Sequence, residues 1–361
     1  MENYEILKTI SGEKINNTDE WETFRRNEII TLFSNYVYGV RDSWSPEKLD
    51  YCVMEQEHNY QNKNIFYKAV KLYKDNFDFN IKMFLPESDK PVPVFVYIMH
   101  EFESNEADFE KELNYKCVPV EDIISRGYGV VVMPTEKVYP DWKHKSGYKD
   151  GVFSLMPENE KRRRNSWATI SAWAWGAQRV MDYLQTDELI DKNNIAVAGH
   201  SRGGKTALWC GAEDQRYSFV ISNNSGCMGA SILKGKTGEH IKDINITDWF
   251  CEKFHDFNDR EEFLPVDQHM LLALIAPRLL YVTSSEEDSW ADPANEFKAC
   301  VEASCVYEMY NIKGVVMEDE KPNVNCSYHE GNIGYHMKNG EHSITPFDWK
   351  NFMDFWDIHK K

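Results

Sequence analysis

The chain has 361 residues, enough to bury a large core, and its 42% hydrophobic and 14% aromatic content is that of a globular protein. Fifty-nine acidic against 41 basic residues leave a net charge of −18, which repels polyanions and argues against nucleic acid as a partner. No stretch approaches the roughly 18 apolar residues of a membrane span, which argues against a membrane partner. The N-terminal MENYEILKTISGEKINNTDE has neither a basic nor an apolar leader region, so the expectation is a cytoplasmic protein or a secreted one without its leader. Eight cysteines include no C-x-x-C pair and read as free thiols.

In chain order, Asn17 and Glu20 resemble a capping box ahead of Trp21, Phe24, Ile29, Leu32 and Phe33, which predicts an amphipathic helix over 18–34. Residues 51–85 alternate with period two, clearest at Phe77, Phe79, Ile81, Met83 and Leu85, and predict antiparallel strands at a sheet edge. Residues 92–99, VPVFVYIM, form a continuous apolar run of the kind buried on both faces of a parallel sheet. Helical and strand segments then alternate: helix 120–126, strand 129–133, helix 166–184, strand 195–198, helix 204–213, strand 217–222, helix 266–275, strand 278–283, helix 294–304, strand 306–312 and helix 346–358. This pattern predicts one α/β domain over 1–361, a doubly wound, mostly parallel sheet with helices on both faces. Two stretches, 134–164 and 223–262, are too long for simple connections and read as walls of a cleft. The basic run Lys161 to Arg164 reads as a solvated helix start.

The chemistry centres on residues 194–208, NIAVAGHSRGGKTAL. An apolar strand ends at Gly199, helix begins past Gly204, and Gly199-His200-Ser201-Arg202-Gly203 between them is a G-x-S-x-G match. So tight a strand-to-helix turn displays the serine hydroxyl above the sheet, at the N-terminus of a helix that favours developing negative charge. A reactive serine needs a histidine and an orienting carboxylate, which in α/β-hydrolases follow in the order serine, acid, histidine. The acidic stretch 284–293, SSEEDSWADP, follows a late strand. After the last strand, 306–312, a loop carries His329, His336 and His342, of which His342 stands closest to the final helix and is the first choice of base. A metal bound by the three, or an ordinary surface histidine, are the alternatives; the loop lacks a tight H-x-x-x-H pair, and no metal is expected.

On these residues the chain resembles the bacterial glucuronoyl esterases of carbohydrate esterase family 15, within the α/β-hydrolase superfamily. The resemblance spans about 21–357 and is carried by GHSRGGKTAL, where the family has G-C-S-R-x-G-K, by LPVDQHMLLALIAPR at 264–278, DSWADP at 288–293 and GYHMKNGEHSITPFDW at 334–349. It implies Ser201 as nucleophile, His342 as general base and Arg202 as an oxyanion partner. It also implies that Lys205 and Glu239 bind sugar hydroxyls and that Trp290 packs on the sugar ring. Taken alone, Lys205 reads as a solvated helix lysine and Trp290 as core filling. Many family members carry a catalytic glutamate in the loop after the sixth strand, where this chain has Asn224; others place the acid after the next strand, which matches Asp288, with Asp292 and Glu287 as fallbacks.

The resemblance thus implies a serine esterase, needing no cofactor and no obligate protein partner, that cleaves esters of glucuronic acid or its 4-O-methyl form, such as lignin–glucuronoxylan linkages. An acetyl xylan or other small-ester hydrolase is the alternative, and a hydrolase-fold carbohydrate binder without turnover is the remaining one.

Overall fold

The computed structural model describes residues 5–100, 117–141, 147–244, 248–317 and 321–360. Among these residues ten strands form one sheet in the order β1-β2-β3-β5-β4-β6-β7-β8-β10-β9, with β1 Asp50–Glu57, β2 Ile65–Lys74, β3 Phe77–Pro86, β4 Val92–Met99, β5 Gly129–Pro134, β6 Ile190–His200, β7 Phe219–Asn223, β8 Leu279–Ser285, β9 Ser327–Tyr328 and β10 Ile333–Lys338. The run from β5 through β4, β6, β7 and β8 to β10 is parallel. β1 to β3 pair antiparallel at one edge, as the alternating stretch 51–85 predicts, and β9 pairs antiparallel at the other.

The central strands are apolar on both faces because both faces are covered. Successive side chains of a strand point to opposite sides, and Val94, Val96 and Ile98 of β4 pack into one core while Phe95, Tyr97 and Met99 pack into the other. The first core lies under α3 Thr169–Leu184, α4 Arg202–Glu213, α5 Gln268–Ala273 and α6 Pro293–Met309, together with α1 Arg26–Phe33. The second lies under α2 Val120–Ser125 and α7 Pro346–His359, where Trp349, Phe352, Phe355 and Trp356 close on Phe95 and Phe219. This is the expected α/β-hydrolase architecture.

Three expectations need correction. Residues 306–312 are not a strand: α6 runs on to Met309, and its buried positions Phe297, Cys300, Ser304 and Tyr307 recur at helical spacing. A short stretch of aromatic and β-branched residues does not separate the two periods. The last parallel strand is instead β10, so His336 is a fully buried strand residue rather than a loop histidine. At the N-terminus the helix continues to Tyr38 through two π-helical turns, Trp21–Arg25 and Ser34–Tyr38. The wider turn rotates the face, burying Arg25 and Arg26 and leaving Phe24 62% exposed.

The basic run does not start a helix either, since α3 begins at Thr169. The Arg162 guanidinium stacks 3.5 Å above the Tyr148 ring and donates to the Trp167 carbonyl, Arg163 pairs with Asp42 at 2.7 Å, and Arg164 pairs with Glu252 and Asp256. The run therefore fastens one long connection to the N-terminal segment and to the other long connection. Residues 142–146 and 245–247 of these two stretches lie outside the described residues. All eight cysteines are free thiols, and among the described residues no helix is long and apolar enough to cross a membrane.

Candidate active site

Ser201 follows β6 directly and sits at φ 55°, ψ −122°, a backbone region that an L-residue occupies only when its surroundings force it. They do: a Cβ on Gly199 would meet the Gly203 carbonyl at 2.2 Å, so the strand and helix can approach this closely only through glycine. The Ser201 N–H donates to the Asn223 carbonyl at 2.8 Å, tying the turn to β7. Although Ser201 occupies the N-cap position of α4, its side chain makes no cap hydrogen bond, and the residue is only half-buried.

His342 lies on the loop between β10 and α7, and its ring stands 4.5 Å from that of His200, the residue before the serine. His342 Nδ1 lies 2.6 Å from Asp288 Oδ2, with the Asp288 side chain 4% and the imidazole 43% exposed. Burial pushes the Asp288 carboxyl up, but the hydrogen bonds from His342 and Asn224 outweigh it and hold the group below the usual carboxylate range. The fallback acids do other work. Asp292 caps α6 and accepts from the Thr237 N–H, and Glu287 faces solvent. Asn224 donates from Nδ2 to Asp288 Oδ2 and to Ser285 Oγ, both at 2.9 Å, so the amide at the family's glutamate position supports the carboxylate that remains.

Arg202 ion-pairs with the buried Asp141. Its guanidinium also lies 4.7 Å from the Trp249 ring centroid, and Trp249 Nε1 donates to Asp141 Oδ1 at 2.9 Å. Asp141 comes from the first long connection and Trp249 from the second, so both reach the residue beside the serine. Lys205 is 4% exposed, not a solvated helix lysine; its ammonium donates to the Ser225 carbonyl at 2.6 Å and lies 3.7 Å from Glu239 Oε2. Trp290 is 57% exposed rather than core, and its Nε1 donates to Glu239 Oε1 at 2.9 Å. Lys205, Glu239 and Trp290 thus form one connected polar and aromatic patch.

His329 and His336 do not join His342. The Tyr281 hydroxyl bridges His329 Nε2 at 2.8 Å and His336 Nδ1 at 3.0 Å, and His336 Nε2 faces Asp348 Oδ1 at 2.9 Å. Among the described residues no cluster of histidine, cysteine and carboxylate could hold a metal. Sequence reasoning missed Asp141, His200, Lys338 and Asp348. The only signal for His200 was its place in G-H-S where the family has G-C-S; Asp348 shows only the T-x-x-D capping signature of the last helix, and nothing local marks Asp141 or Lys338 as buried partners.

A family model described as glucuronyl esterase of fungi matches residues 69–311. Carbohydrate esterase MZ0003, from an unknown prokaryotic organism, is 34% identical over 98% of this chain and 88% of its own length. A 4-O-methyl-glucuronoyl methylesterase of Phanerochaete chrysosporium is 33% identical over 41% of this chain, a stretch equal to 33% of that protein. The structure of a glucuronoyl esterase from Solibacter usitatus superposes with a TM-score of 0.91 at 31% identity, covering 100% of this chain and 98% of that one. The structure of a promiscuous CE15 esterase from a marine bacterial metagenome gives 0.86 at 34% identity, covering 98% of this chain and 96% of that one. With the model match spanning most of the sequence and the relatives' likeness running nearly end to end, the chain belongs to the glucuronyl esterase family.

Proposed function

We propose that this protein is a serine carboxylic-ester hydrolase acting on esters of glucuronic acid or its 4-O-methyl form, with Ser201, His342 and Asp288 as its catalytic triad. The observation that carries the reading is the 2.6 Å contact of His342 Nδ1 with buried Asp288, made by a histidine whose ring packs against the residue preceding a strained serine. Asp288, an anion, accepts the Nδ1 proton, which leaves Nε2 as the basic nitrogen. His342 takes the Ser201 proton as the oxygen attacks the uronoyl carbonyl, and the N-terminus of α4 with the Arg202 guanidinium meets the oxyanion. The imidazolium returns its proton to the leaving alcohol as the carbon–oxygen bond breaks. Water, deprotonated by the same imidazole, then releases the acid and regenerates the serine. Lys205, Glu239 and Trp290 hold the sugar beside this centre, the indole offering an apolar face and the charged groups hydrogen bonds to hydroxyls.

The test compares wild type with Ser201→Ala on benzyl glucuronate and on 4-nitrophenyl acetate. Wild type is expected to prefer the glucuronate ester in kcat/KM, and Ser201→Ala to lose at least roughly 10³-fold on both. Preference for the acetate would make the protein a small-ester hydrolase, and undiminished turnover by Ser201→Ala would overturn the triad.

A further inference from the structure

Beneath the site lies a buried ion pair that the mechanism above does not use. Lys338, the last residue of β10, places Nζ 2.9 Å from Asp348 Oδ1, and neither side chain is more than 5% exposed. The same ammonium donates to the Ser343 carbonyl, next to His342, at 2.7 Å and to Asn224 Oδ1 at 3.4 Å. Asp348 is anchored from several elements: Oδ1 faces His336 Nε2 and accepts from Thr283 Oγ1 at 3.2 Å, while Oδ2 accepts from the Thr345 N–H and hydroxyl at 2.7 Å in the capping box of α7.

Two consecutive asparagines, Asn223 at the end of β7 and Asn224 just after it, read opposite ends of this pair. Asn223 donates from Nδ2 to Asp348 Oδ1 at 3.2 Å and presents Oδ1 to His200 Nδ1 at 2.5 Å. Asn224 turns its Oδ1 to the Lys338 ammonium and its Nδ2 to Asp288 Oδ2. Neither amide can flip without placing NH₂ against a cation or a carbonyl against an anion, so the charges set both orientations. The Asn223 carbonyl oxygen requires a proton on His200 Nδ1, and the Asn224 amide leaves Asp288 facing His342. The ring of His200, kept neutral by burial, then lies 4.5 Å from that of His342.

We propose that the Lys338–Asp348 pair, acting through Asn224 and Asn223, is a positioning device that holds His342 in the tautomer and orientation in which it activates Ser201. These are positioning residues, not catalytic ones, and the proposal rests on the triad reading above. It also gives the asparagine at position 224 a role: a carboxylate there would face Asp288 at hydrogen-bond distance, whereas the amide joins a cation to an anion.

The test is the rate at which a fluorophosphonate labels Ser201, followed by intact-protein mass, in the full chain with Asn224→Ala, Lys338→Met and the double substitution. Labelling reads serine activation without reference to any sugar. Each single variant is expected to label on the order of ten- to a hundredfold more slowly, short of the ~10⁴-fold cost of a wrong histidine tautomer. The double variant should label no more slowly than the slower single one, because both act along one path. KM for benzyl glucuronate should stay within about twofold, since none of these residues meets the sugar, and a large KM change with normal labelling would overturn the proposal. So would wild-type labelling of Asn224→Ala, or single effects that multiply in the double variant. Should Lys338→Met leave Asp348 unpaired and fail to fold, Asn224→Ala and Asn223→Ala, which remove no charge, decide the matter under the same criteria. Wild-type protein that labels equally fast with His342→Ala would overturn the triad and this proposal together; failure of the relay alone leaves that His342 dependence intact.

Discussion

Ser201 holds a strained backbone angle, at a cost of order 1–3 kcal/mol, and its hydroxyl makes no hydrogen bond to its own helix cap. That strain is held by the Gly199–Gly203 approach and by the hydrogen bond to Asn223. The residues on the substrate side differ in kind, since they are arranged to meet a ligand rather than to hold a bond angle. Trp290 keeps most of its ring in solvent while its N–H is spent on Glu239, so an apolar face is displayed beside a carboxylate and an ammonium. Trp290→Ala is expected to raise KM for benzyl glucuronate roughly tenfold, about 1.4 kcal/mol, with kcat on 4-nitrophenyl acetate within twofold of wild type. Steady-state kinetics on the two substrates check it, and equal losses on both would remove the indole from sugar binding.

At the scale of elements, α6 does more than cover the sheet. Its fully buried Glu296 accepts from the Gly226 N–H at 2.9 Å and from Ser284 Oγ at 2.7 Å, tying the loop after β7 to the helix and to β8. Lys205 grips the same loop at the Ser225 carbonyl. Burial pushes the Glu296 carboxyl up to about 7 despite those hydrogen bonds. A folded-state value raised above the unfolded one means stability that is fully present below about pH 4.5 and lost as pH rises through about 7. Wild type should therefore lose roughly 3 kcal/mol relative to Glu296→Gln between pH 4.5 and 8. Asp288 and Asp348 are shifted the other way and lose stability as pH falls, so denaturant unfolding of both proteins across that range, compared as a difference, isolates the glutamate. A pH-independent difference would show that Glu296 titrates normally.

Over the whole molecule, the parallel run of the sheet gathers the carboxyl ends of β6, β7, β8 and β10, so residues 201, 224, 288 and 342 converge although 141 positions separate the first from the last. The chain as a whole carries a net charge of −18. An ester has already neutralised the carboxylate that would be repelled, and hydrolysis restores that charge, which favours release of the acid. On this account kcat/KM for benzyl glucuronate should change little between about 0.01 and 0.15 M salt, while kcat/KM on a polymeric glucuronoxylan ester bearing free uronates should rise several-fold as screening shortens. Rates at the two ionic strengths check this, and a falling rate on the polymer would point to an attractive local field.

How much of this was legible beforehand depends on the range of the forces involved. The apolar run VPVFVYIM and the alternation around it read correctly as buried and edge strands, because both faces of a central strand need apolar cover wherever the chain goes next. G-H-S-R-G read correctly as a strand-to-helix turn, since only glycine admits that approach. The stretch 306–312 misleads, because seven residues of which five are apolar or aromatic suit a strand or a helix until a neighbouring surface selects one. The strand β10, IGYHMK, escapes the pattern for the opposite reason: His336 and Lys338 are buried only because Asp348 and Tyr281 meet them there. Local sequence thus determined most of the elements and named Ser201 and His342, and the resemblance named Asp288, while the fold turned that carboxylate rather than Glu287 or Asp292 to His342 and laid Lys338, Asp348 and two asparagines beneath them. The physical reason is that a charge or amide becomes costly to bury unpaired, and its partner is chosen by the packing of strands far apart in the chain.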